Sequence, residues 1–316
     1  MSTSWVAGTV RARALAQRRI GADAARQLAR SGTRSDAVRA VSQTPYGHAV
    51  HPADSLAAAQ HGVSATLLWQ LRVLAGWLPH DGVDVVRLLA RGFEIANIDE
   101  QLAQDGRGVG DPLYRLGALA TAGHRIVGIH AAPVLREALR STPWGDPGGS
   151  SAWEVGVGLR LNWADQVMGP IPEAARWARA ATALLLARIA WSDRRVLPPA
   201  LARRAATVIG PGFVDVVGPT STQVAAAVEH LPADTRWAFD RVDRPENVWR
   251  GEAAWWRRID RDGFALLREQ GFGRGPVVGA VAVLAADAWR ARAALASAAR
   301  HEVVGDSAVE AFDVVA

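Results

Sequence analysis

The chain has 316 residues, 49% hydrophobic and 21% charged, enough for a large core in one domain or in two or three compact units, and unlike a disordered segment. It contains no cysteine, which excludes disulfides, thiolate metal sites and a thiol nucleophile and fits a reducing cytosol. All 36 basic residues are arginine, but 31 acids hold the net charge to +5, and stretches such as "VDRPENVWRGEAAWWRRIDRD" alternate in sign, which argues against a nucleic-acid-binding patch.

Taken in chain order, the first twenty residues carry Arg11, Arg13, Arg18 and Arg19 with no apolar block behind them, so no signal peptide is expected. Arg11 and Arg18 lie two turns apart on one side of a first helix and form a candidate partner-binding face. A helix through Val38 and Val41 should stop at Thr44-Pro45-Tyr46-Gly47. There Pro45 pushes Thr44 toward extended backbone, Gly47 is expected to allow a positive-φ exit, and Tyr46 is expected to pin the turn against the core. Leu67, Leu71, Leu74, Ala75 and Leu78 recur with helical spacing, as do Val86, Leu89, Ala90 and Phe93.

Glycine and proline then break the chain at 104–112, 145–151 and 218–221. Between these breaks, "HRIVGIH" (124–130), "WEVGVGLRL" (153–161) and "GFVDVVG" (212–218) alternate apolar and small or polar residues and are expected to be short strands. Ala174, Trp177, Ala181, Leu184, Leu185, Arg188 and Ile189 return to helical spacing. Pro245 and Glu246 open another helix through Trp249, Ala253, Trp256 and Ile259, with Trp255 off that stripe and a pointer to a protein interface. "GFGRGPVVGA" (271–280) follows a helix expected to end at Gly271 and reads as a helix end followed by a helix start at Pro276, not as a dinucleotide loop. The apolar tracts 180–191 and 275–289 are respectively too short and too soon interrupted by charge for a bilayer, so no membrane insertion is expected.

Chemistry finds no foothold in the residues. Without lysine there is no phosphate loop, and neither HExxH nor GxSxG occurs. His48 and His51 flank a turn, His124 and His130 straddle a possible strand, and His301-Glu302 stands alone. No catalytic residue, no metal site and no cofactor are expected.

A repeat organises the whole. Thr142-Pro143-Trp144-Gly145 restates Thr44-Pro45-Tyr46-Gly47 at an offset of 98, and "LLARIAWSDRR" from Leu185 restates "LLARGFEIANI" from Leu88 at an offset of 97. "VLAADAWRARAAL" (283–295) takes the matching place in a third unit whose own turn is not recognisable. The period is too long for a solenoid, so the expectation is a mainly all-α chain of three similar helical modules, 1–105, 106–205 and 206–316, with two or three short strands.

The ordered set "VRARALAQRRI", "VRAVSQTPYG", "LLARGFEIANIDEQL", "LYRLGALAT", "LREALRSTPWG" and "VVGAVAVLAADAWRARAAL" resembles the C/d family of V-type/A-type ATPases, whose members are the central-stalk subunits of rotary ion pumps, over nearly the full length. The resemblance implies three helical modules in a pseudo-threefold, funnel-like arrangement. It implies a non-catalytic rotor socket between the central-axle subunits and the proteolipid ring of a proton or sodium pump, peripheral on the cytoplasmic face of the membrane. Phe93, Glu94 and Asn97 match that family's aromatic-acid-aliphatic-x-Asn signature and are nominated as module-defining, with Tyr46 and Trp144 in the turns. In the C-terminal stretch, where the family tends toward Glu and Asn before its Arg, this chain has Asp287, Arg290 and Arg292, of which only Arg292 matches; Arg195 stands near the place of a second Asn. The competing readings are an arginine-rich helical nucleic-acid-binding or regulatory protein, and an enzyme with an unsignalled site in the Trp-rich third module.

Overall fold

The structure is a computed structural model that describes residues 3–104, 112–221 and 223–304. The described residues are mainly helical, with no strand among them. The helices are α1 (Val6–Ala16), α2 (Gly21–Ala29), α3 (Arg34–Ser42), α4 (Leu56–Ala75), α5 (His80–Leu89), α6 (Arg91–Gln104), α7 (Ala132–Arg140), α8 (Ala152–Met168), α9 (Pro172–Ala187), α10 (Pro199–Ile209), α11 (Pro211–Val216), α12 (Val224–Glu229), α13 (Val248–Leu267) and α14 (Arg274–Val304). Short 3₁₀ turns include Pro45–His48, Gly123–Ile126 and Arg236–Phe239, and α9 runs on into one π turn, Arg188–Ser192. Most of the expected 104–112 break lies outside the described residues, as do the side chains of His301 and Glu302.

The three expected strands are not strands. In "WEVGVGLRL" the alternation comes from Gly156 and Gly158, and both are small for helix packing. A Cβ on Gly156 would stand 2.7 Å from Asp99 Oδ1, and one on Gly158 only 1.7 Å from the Pro147 carbonyl. A capping box at Ser151 and Glu154 starts α8 ahead of them. "GFVDVVG" falls mostly in α11, which Pro211 opens, and "HRIVGIH" holds a 3₁₀ turn bounded by the positive-φ residues Gly123 and Gly128. α13 stops at Leu267, four residues before Gly271.

The chain divides into two compact units, residues 1–86 with 256–316, and residues 87–255. In the first, α14 packs against α1, α2, α3 and α4. Residues 277–284 of α14 are buried on every side, which suits a central helix that is apolar all round. In the second, α8 packs against α6, α7, α9 and α10, and Trp144, Leu135, Leu139, Ile98, Val155 and Leu159 join one core. α13 contributes residues 256–267 to the first unit and 248–255 to the second. Trp256 stacks on Trp289 at 5.7 Å in the former, and Trp255 donates its indole N–H to the Trp177 carbonyl at 2.8 Å in the latter. Trp249, expected on the core stripe, is instead 38% exposed.

Candidate functional site

The two TP-aromatic-Gly turns are built alike, each within its own unit. Thr44 is extended (φ −94°, ψ −179°), as the following proline requires. Its hydroxyl donates to the Val41 carbonyl at 2.7 Å and accepts the Tyr46 N–H at 3.2 Å. The Thr142 hydroxyl donates to the Leu139 carbonyl at 2.7 Å and accepts the Trp144 N–H at 3.2 Å. Backbone bonds from Thr44 N to Val41 O and Gly47 N to Thr44 O are matched by Thr142 N to Leu139 O and Gly145 N to Thr142 O. The exits differ. Gly145 has φ +70°, whereas Gly47 stays in its 3₁₀ turn without the expected positive φ; it must be glycine because a Cβ there would stand 2.1 Å from the Ser42 carbonyl.

Each aromatic then reaches a buried carboxylate. Tyr46 Oη donates to Asp287 Oδ2 at 2.7 Å, and the two residues are 4% and 0% exposed. Asp287 also accepts the N–H groups of Ile20 (3.0 Å) and Gly21 (2.8 Å), so it caps the start of α2. Burial pushes the Tyr46 phenol well above its usual value, and the Asp287 charge adds to the rise, which keeps the hydroxyl a donor. Three residues on, Arg290 reaches Asp260 at 3.3 Å and Asp287 at 4.0 Å.

In the second unit Trp144 Nε1 donates to Glu94 Oε2 at 2.7 Å, and both side chains are buried. Glu94 also accepts the N–H groups of Thr121, Ala122 and Gly123 at 3.0–3.2 Å, at the start of the 3₁₀ turn Gly123–Ile126. The Arg91 guanidinium lies 4.7 Å over the Trp144 ring and donates to Thr121 Oγ1 and Gln166 Oε1. A carboxylate that accepts several amide bonds is committed to holding backbone; it is not presented to a substrate.

The helix after each turn closes it. Thr66 on α4 donates to the Tyr46 carbonyl at 3.3 Å, and Asn162 on α8 donates to the Trp144 carbonyl at 3.0 Å. Four residues earlier on each helix, Gly62 and Gly158 let the chain approach; a Cβ on Gly62 would stand 2.4 Å from the Ala49 carbonyl.

A related construction recurs in "TRWA", residues 235–238. Thr235 N bonds to Pro232 O and Ala238 N to Thr235 O, Thr235 is fully buried, and Gly251 on α13 approaches with a Cβ position 2.7 Å from the Ala238 carbonyl. The neighbouring aromatic contact here is ring on ring. Trp191, 97 positions after Glu94, meets Phe239 edge to face at 6.3 Å, and among the described residues its buried Nε1 has no hydrogen-bond partner. With arginine for proline and alanine for glycine, this turn lacks the TP-aromatic-Gly letters and keeps only their backbone bonds.

The remaining nominated residues fall in different places. Phe93 is half-buried, edge-on to Tyr114 at 5.2 Å, while Asn97 pairs with the Tyr114 backbone, accepting its N–H at 2.7 Å and donating to its carbonyl at 2.9 Å. Arg292 is exposed, and Arg195, near the place of a second Asn, lies 4.9 Å over the Trp153 ring. Arg11 is half-buried. Arg18 is exposed but stands beyond the end of α1 at Ala16, so the two do not share a helix face as expected. Sequence reasoning missed Asp287 as the partner of Tyr46, since nothing in the residues couples the first turn to a helix 241 positions away.

Among the described residues no group of three or more His, Cys, Asp or Glu side chains is placed to hold a metal ion. His48 stacks on Trp69 at 4.1 Å. A cavity of about 340 Å³ in the second unit is walled by Leu186, Ile189, Val196 and Val217, with Arg195 and Asp215 as its charged groups. No described helix is long and apolar enough to cross a membrane. No protein-family model matches the sequence, and no curated protein matches it significantly.

Proposed function

We propose that the chain is a non-catalytic central-stalk subunit of a V/A-type rotary ATPase, a socket between the rotor axle and the membrane ion-carrying ring. The observation that carries this reading is the pairing of the motifs behind the resemblance. The aromatic of "TPYG" bonds the acid of "AADAWR", and the aromatic of "TPWG" bonds the acid of "GFEIAN". These stretches are scattered through the sequence, and their convergence supports treating them as one recurring design. The third turn at 235–238, with its own approaching glycine, supports three modules rather than two.

A torque-bearing socket needs stiffness more than chemistry. Buried carboxylates that tie a turn, a helix start and a neighbouring helix together supply it, because each side of such a bond is costly to leave unpaired. The test is affinity purification of the tagged chain from detergent-solubilised membranes of its own cells, with mass spectrometry of the co-purifying proteins. Catalytic-head, axle and ring proteins in near-fixed ratio are the expected result. Recovery of the chain alone, or with nucleic acid that salt removes, would overturn the proposal in favour of a regulatory or nucleic-acid-binding use of the same fold.

A further inference from the structure

We infer that the outward face of α1 is a docking surface for an acidic amphipathic helix of a partner protein. Val6, Ala7, Val10 and Ala14 are all exposed, Val6 at 37% and Val10 at 56%, and fall on one side of the helix. The opposite side is already committed: Gly8, Thr9, Ala12, Leu15 and Ala16 are buried in a helix that packs on α14 and α4. The helix is therefore apolar on two sides, where a helix packed on one side and solvated on the other shows polar residues outward.

The arginines identify the occupant. Arg13 donates to the carbonyls of Leu267, Glu269 and Gly271, and Arg19 donates to the Ala16 carbonyl and covers the Phe264 ring, so both are spent inside the first unit. Among the described residues Arg11, half-buried beside Val10, and Arg18, exposed just past the end of α1 at Ala16, form no ion pair, and no acid occurs in the first 22 residues. An apolar stripe with one unpaired cation beside it and another just past its C-terminal end is complementary to a helix whose apolar stripe is edged by carboxylates. A second copy of this chain would set Arg11 and Arg18 against their own equivalents. Nucleic acid would face valines with phosphates, and a bilayer surface would call for larger apolar groups than Val and Ala.

The inference stands apart from the rotary proposal. Its test places the photo-crosslinker p-benzoylphenylalanine at position 10 of the full chain, in its own cells, with position 127 as a control because Val127 is 68% exposed in the other unit. Circular dichroism checks that each variant is folded. The expected result is crosslinking from position 10, not 127, to one helical segment with apolar residues three and four apart and Asp or Glu beside them. Arg11→Gln with Arg18→Gln should lower that yield about five-fold. Crosslinks to a second copy, to lipid, to nucleic acid or to a segment without that pattern, or a yield no higher than at position 127, would overturn it. If the captured helix belongs to a protein outside a rotary pump and no pump protein co-purifies, the docking surface stands and the rotary proposal fails. If the pump co-purifies without the crosslink, the reverse holds.

Discussion

Tyr46 and Asp287 lie 241 positions apart and share one buried hydrogen bond of 2.7 Å, which ties the first TP-aromatic-Gly turn to α14. The same carboxylate caps α2, so three elements depend on one side chain. Tyr46→Phe is expected to cost about 1.5–3 kcal/mol, the worth of a hydrogen bond to a charged group. Asp287→Ala is expected to cost about 3 kcal/mol or more, since it strands a phenol and two amides in the core. Urea unfolding of both single variants and the double variant checks this. Additive losses would mean that the two side chains do not act on each other.

The buried tryptophans Trp144 and Trp191 separate packing from hydrogen bonding. Each loses its indole N–H on replacement by phenylalanine, but Trp144 uses it on Glu94, while Trp191 Nε1 is buried with no partner among the described residues. Trp144→Phe is expected to be at least about 1.5 kcal/mol more destabilising than Trp191→Phe. Equal losses in denaturant melts would show that ring volume alone matters at both positions.

Glycines on α8 and α6 should respond in opposite directions to the same substitution. Gly158→Ala forces a Cβ to within 1.7 Å of the Pro147 carbonyl, a backbone atom, and is expected to destabilise by about 2–4 kcal/mol or to prevent folding. Gly92→Ala on α6 meets nothing within 4 Å and should stabilise by about 0.5–1 kcal/mol through helix propensity. Thermal melting measured in parallel distinguishes them.

Acid should loosen the loop after the second turn. Arg136 grips Asp146 with two bonds of 2.7 and 2.9 Å, and this, with the Gly148 N–H, lowers the Asp146 carboxyl to about 2. Because the folded value lies below the unfolded one, the stabilisation is fully present above pH of about 4 and is lost as pH falls toward about 2. The pair is partly solvated, so the loss is expected to be about 1 kcal/mol. Unfolding curves between pH 5 and 2 should fall less steeply for Asp146→Asn than for the parent chain; parallel curves would refute this.

Much of the architecture was legible because helices are local. The 3.6-residue spacing located α4, α9 and α13, and Pro45 with Thr44 sufficed to end α3. Where reading failed, the deciding atoms were distant in sequence. The alternation in 153–161 looked like a strand because Gly156 and Gly158 are small, and they are small because Asp99 and the Pro147 carbonyl approach them. "TRWA" escaped notice because its turn is held by backbone bonds that do not require proline or glycine at those places.

By itself, the sequence determined the helical class, the turn chemistry at Thr44 and Thr142, and the recurrence of those turns, since each follows from residues within a few positions of one another. Tertiary structure alone decided which carboxylate each aromatic meets, and which of the N-terminal arginines are spent internally and which remain unpaired. Those outcomes depend on approach between segments up to 258 positions apart, as when Arg13 reaches the Gly271 carbonyl. Local preference carries no record of such distances; burial and hydrogen-bond satisfaction impose them only once the helices have packed.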